Sequence, residues 1–130
     1  MAWPEPILLD SPEGCEKELM RSTNGLALLD HVLTLAVDAR DDADERWEEW
    51  EAKASTECAT KGITATELRG RIINWTAERP EAKAARSAQR KAHSELEKVS
   101  RYYRSLEQRA TNAQAALKRH LGNSRYGGTV

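Results

Sequence analysis

The run from Glu81 to Leu121 contains neither glycine nor proline. The regular structure that closes all backbone hydrogen bonds within a stretch of that length is an α-helix, about 60 Å long at 1.5 Å per residue. From Ala92 onward its apolar side chains fall at Ala92, Leu96, Val99, Tyr103, Leu106, Ala110, Ala113 and Leu117, alternately four and three residues apart. That heptad spacing keeps one stripe turned toward a partner helix. The stripe is rich in alanine, which permits close approach but buries little area, so this helix needs another helix against it.

The first half of the chain supplies a candidate. Ser22-Thr23-Asn24-Gly25 reads as a break and cap, after which a helix runs from about residue 25 to 61, where Gly62 offers a left-handed stop. Its opening, Leu26 to Val37, is apolar on most sides and is expected at the centre of the packing. From Asp38 onward only Ala39, Ala43, Trp47, Trp50, Ala54 and Cys58 remain apolar between acids. Two short helices complete the set. One covers about 11–21 behind the start signal Asp10-Ser11-Pro12-Glu13. The other covers about 65–77 behind the capping box Thr64-Ala65-Thr66-Glu67, with Leu68, Ile72, Ile73 and Trp75 toward the core. Pro80 breaks the chain before the long helix of 81–121, which Gly122 ends. The expected fold is all-α: two long helices in an antiparallel, coiled-coil-like hairpin with two short helices. It forms a single helical domain over 11–122, preceded by an extended arm over 1–10 and followed by a flexible tail over 123–130.

The arm, Trp3-Pro4-Glu5-Pro6-Ile7-Leu8-Leu9, is barred from helix by its prolines yet carries several large apolar residues. An unattached tail is ordinarily polar, so these residues are expected to dock on this subunit or a neighbour. No stretch reaches the roughly 18 apolar residues of a membrane span, and the start lacks the basic and apolar parts of a signal peptide. The expected location is cytoplasmic, or within a virion assembled there. Cys15 and Cys58 have no closely spaced Cys or His partner, which leaves buried or idle thiols rather than a zinc site or a disulfide framework.

Formal net charge is only −1, but its distribution is lopsided. Residues 1–60 hold 15 acidic and 5 basic side chains, and residues 61–130 hold 6 acidic and 15 basic. Opposite fields on one small chain meet within the molecule, between copies, or at a charged partner. The acidic helix presents Glu48 and Glu49 beside Trp47 and Trp50, and tryptophans three apart share one face, as interface anchor or as core. The candidate protein interface therefore comprises Trp3, Ile7, Leu8, Trp47, Trp50, Glu48 and Glu49. The basic set Arg69, Arg71, Arg79, Lys83, Arg86, Arg90 and Lys91 is the candidate contact for an acidic partner or nucleic-acid phosphates. Lys61 to Trp75 also admits a helix-turn-helix reading, with Gly62 in the turn.

Catalytic patterns are missing. His31, His93 and His120 accompany no nucleophile elbow, glycine-rich phosphate loop or zinc-protease pattern. Neither an EF-hand spacing nor a Glu-x-x-His pair occurs among the acids. No enzyme activity, cofactor, metal or small-molecule substrate is expected.

With its apolar arm, charge-polarised hairpin and Ala- and Arg-rich composition, the chain resembles small helical virion or assembly proteins of phages infecting GC-rich bacteria. The resemblance implies a head, connector or packaging role through contacts between subunits, without assigning a role to any residue. Small secreted hairpins with a Trp-x-Gly turn are a second comparison; Trp47-Glu48-Glu49 and Trp75-Thr76-Ala77 argue against it. The expectation is a non-enzymatic structural protein that oligomerises or docks on a protein partner. A small nucleic-acid-binding protein is the alternative.

Overall fold

The computed structural model describes residues 5–127. Three helices follow in order: α1 (Pro12–Thr60), α2 (Ala65–Ala77) and α3 (Pro80–Gly127). The two long helices pack antiparallel with the short one between them in sequence. Packing divides the chain into two compact units. The terminal unit joins Met1–Leu33 to Val99–Val130, and the central unit is Thr34–Lys98. No helix among the described residues is long and apolar enough to cross a membrane.

In the terminal unit, Ser11 caps α1: its hydroxyl accepts from the Gly14 N–H at 3.1 Å, and its carbonyl accepts from the Cys15 N–H at 3.0 Å. Pro12 takes the first helical position, where a missing N–H costs nothing. The break expected at residues 22–25 does not occur, and α1 is one helix rather than two. Cys15, Glu18, Ser22, Gly25 and Leu29, alternately three and four residues apart, are all buried. Ser22 and Gly25 thus fall in phase with the packed stripe. Their small size suits close helix approach, which outweighs their poor helix propensity. On α3 the buried residues of this unit are Leu106, Ala113 and Ala116.

The apolar opening of α1 is not the packing centre expected of it. Leu29 is buried, but Leu28 and Leu35 are more than half exposed, at 68% and 56%. One partner helix covers one stripe, and a segment apolar on several sides leaves the rest in solvent.

The central unit shows why one glycine stops a helix and another does not. Gly62 adopts φ 75°, its N–H donates to Ala59 O at 3.1 Å, and the next N–H, of Ile63, donates to Cys58 O at 2.8 Å. This is a Schellman end, closed by an apolar residue after the glycine. Gly122 is followed by the polar Asn123, and α3 runs on to Gly127. The expected flexible tail is therefore helical over 123–127, while 128–130 lie outside the described residues. Thr64 caps α2, its Oγ1 accepting from the Glu67 N–H at 3.2 Å, which is the Thr64 half of the expected capping box. The heptad stripe of α3 holds too, every one of its eight residues being buried or half-buried.

Candidate functional site

The central unit is organised around its tryptophans. On α1 the expected stripe places Ala43, Trp47, Ala54 and Cys58 in the interior, with Trp47 only 3% exposed. Trp50 is half-buried and meets Trp75 of α2 at 6.4 Å between ring centroids, tilted by 60°. A second clamp fixes α2. The Trp75 indole N–H donates to Glu57 Oε2 at 2.6 Å, and Arg79 Nη2 donates to both Glu57 oxygens at 2.8 Å. The same guanidinium stacks on the Trp75 ring, 4.1 Å from its centroid. The indole hydrogen bond, with the Arg79 and Lys61 charges, holds the Glu57 carboxyl below its ordinary range against a smaller opposing effect of burial.

A polar chain crosses between α1 and α3 beside these rings. Arg86 lies over Trp47 at 4.9 Å and donates to Gln89 Oε1 at 2.6 Å; Gln89 donates to Asp44 Oδ1 at 2.8 Å. His93 Nε2 is 2.7 Å from the same oxygen, so that nitrogen carries the proton. The His93 and Gln89 hydrogen bonds hold the Asp44 carboxyl below its ordinary range.

Two open grooves flank this packed seam. The first, about 340 Å³, has an apolar floor of Trp47, Ile72 and Ile73 and a basic rim of Lys83, Arg86 and Arg90. Ile73 is 75% exposed, a correction to its expected place in the core. Adjacent residues on a helix point about 100° apart, so with Ile72 turned inward Ile73 is left outside. The second groove, about 760 Å³, is lined by alanines of α1 and α3, including Ala39, Ala43, Ala84 and Ala88, with Asp42, Glu49 and Lys91 at its edge.

The basic set that looks continuous in sequence is thus divided. Lys83, Arg86 and Arg90 border the first groove, and Lys91 borders the second. Arg71 lines a cleft beside Trp75 and Glu57, and Arg79 is engaged by Glu57 and Trp75. Arg69 is exposed one turn before Ile73, on the same face of α2. Of the candidate interface set, Trp47 is buried within the chain, Trp50 is half-buried, and Glu48 and Glu49 are exposed. Ile7 and Leu8 belong to the terminal unit, and Trp3 lies outside the described residues.

Within that unit the arm docks on its own chain. The Ile7 N–H donates to Glu18 Oε2 at 2.9 Å, and His120 Nε2 donates to the Leu9 carbonyl at 3.0 Å. Ile7 and Leu9 are half-buried, whereas Leu8 points outward at 75% exposure. Cys15 and Cys58 are free and buried. Among the described residues no group of three or more His, Cys, Asp or Glu is arranged to hold a metal.

The first groove thus sets the exposed Ile73 beside three cations, Lys83, Arg86 and Arg90. Sequence reasoning missed Ile73 as a surface residue, although the adjacent pair Ile72-Ile73 on a short helix was the available signal. Comparison of the chain with known protein families, with curated proteins and with solved structures finds no match in any of the three.

Proposed function

We propose that the chain is a non-enzymatic assembly protein that oligomerises or docks on a protein partner through its helical faces, as a virion, head-tail or packaging component does. The observation that carries this reading is the balance of large apolar side chains. Among the described residues Leu8, Met20, Leu28, Leu35, Ile73, Tyr102 and Leu121 are exposed, whereas the large apolar residues in the interior are Leu29, Trp47 and Leu106. Burying one such side chain is worth about 1.5–3 kcal/mol, which supports a partner that covers part of this surface.

The placement of the cations supports a protein partner over a nucleic acid. A phosphate backbone is met by a continuous basic track. Here Lys83, Arg86 and Arg90 instead surround an apolar floor, and Lys91 and Arg71 are turned elsewhere.

The test is Ile73→Asp in the full chain. Because Ile73 is exposed, helix content measured by circular dichroism stays at the wild-type level while self-association or partner capture weakens at least about tenfold, the cost of losing one anchor in an interface. Association unchanged by the substitution contradicts the reading.

A further inference from the structure

α1 carries a second row besides the stripe that it packs. Leu35, Asp38, Asp42, Glu45 and Glu49 succeed one another three and four residues apart, and all five are exposed. Such spacing keeps them on one side of the helix, an apolar residue leading four acids. Lys83, Arg86 and Arg90 repeat the same three-and-four spacing on α3. From Asp38 to Glu45, as from Lys83 to Arg90, is about 10 Å along a helix axis.

The two rows are turned to different flanks of the central unit. Asp42 and Glu49 edge the alanine-lined groove together with Arg46 and Lys91, and its α3 wall includes Ala84, Ala88 and Glu95. The basic rim edges the other groove, together with Ser87. Neighbouring residues Lys83 and Ala84, or Ser87 and Ala88, face opposite grooves. The acidic row therefore has no route to the basic rim of its own unit.

Resting on the assembly reading above, we infer that the occupant of the basic-rimmed groove is the acidic row of α1 from a second copy of this chain. Asp38, Asp42 and Glu45 lie against Lys83, Arg86 and Arg90, and Leu35 supplies the apolar contact. Complementarity of sign, spacing and length selects this occupant. A two-fold pair uses the same patch on both subunits, but here the contact joins two different surfaces on opposite flanks. The contact is consequently head-to-tail, and it generates a ring or an open chain.

Charge exchange tests it. In one full-length variant Asp42→Lys and Glu45→Lys reverse the row, and in another Lys83→Glu and Arg90→Glu reverse the rim. All four residues are exposed. Each variant alone is expected to be monomeric by light scattering at concentrations where the wild type assembles, and an equimolar mixture regains the wild-type mass. The regain also shows that both variants are folded. Assembly that persists in both variants, or a mixture that stays monomeric, overturns this contact while leaving the broader reading standing. A wild-type chain that is monomeric at every concentration overturns it as well, and then only docking on a different protein survives of that reading.

Discussion

In the terminal unit Arg109 Nε donates to Glu18 Oε1 at 2.6 Å, with the Glu18 side chain 2% and the Arg109 side chain 15% exposed. The same carboxylate accepts from the Ile7 N–H and, at 3.4 Å, from the Ser22 hydroxyl. One acid thereby ties the N-terminal arm, α1 and α3 together. Burial alone pushes the Glu18 carboxyl upward. The hydrogen bonds from Arg109 and Ile7 and the charges of Arg109 and Arg21 outweigh it, and hold the group below its ordinary value of 4.5.

Removing the acid takes away the buried carboxylate to which the Arg109 guanidinium donates. Glu18→Ala is expected to destabilise the chain by about 3 kcal/mol, the lower end for breaking a buried pair because Arg109 keeps some contact with solvent. Urea unfolding followed by circular dichroism measures it. A loss under about 0.5 kcal/mol, the scale of an ordinary surface substitution, contradicts the assignment.

The same pair sets a pH dependence. Because the folded-state value of Glu18 is lowered, its contribution is fully present above the ordinary value of 4.5 and is lost as pH falls through the lowered value. Asp44 and Glu57 are shifted in the same direction. Urea midpoints are expected to fall as pH drops below about 4.5, and to fall less steeply in Glu18→Gln, which cannot ionise. Equal slopes in the two proteins rule out Glu18 as a source.

The arm passes close to Gly14 of α1, and a Cβ there would overlap the Leu8 carbonyl oxygen, a backbone atom that a rotamer change cannot move. Gly14→Ala is expected to raise helix propensity by up to about 1 kcal/mol locally while displacing the arm. The readout is limited proteolysis: cleavage in the arm speeds up several-fold with the α-helical content unchanged. Wild-type protection in the variant shows that the arm is held by something other than this crossing.

Much of this architecture is legible in the residues themselves. The Thr64 cap and the Gly62 stop are local patterns whose partners lie within a turn or two, and the stripe of α3 is a repeat carried within one helix; all three form as expected. The departures share one cause. Ser22-Thr23-Asn24-Gly25 and Gly122 carry the chemistry of helix ends, but whether a small residue ends a helix or packs one depends on its phase with a distant stripe and on the identity of its successor. Ser22 and Gly25 are in phase with Leu29, and Gly122 lacks the apolar successor that Ile63 provides at Gly62. For the site, sequence order groups seven basic residues, whereas the 100° turn per residue divides them among three surfaces. The exposure of Ile73 and Leu35 reflects how few helices are present to cover them.

Association of the intact chain is the most direct test of the account. Light scattering is to be run over a range of concentrations, first in dilute salt and then near 1 M, where the screening length falls to about 3 Å. Mass well above the 14.6 kDa of one chain in dilute salt, falling as salt rises, is the result predicted by the proposed contact between oppositely charged faces. A mass of one chain under every condition contradicts self-assembly through these faces.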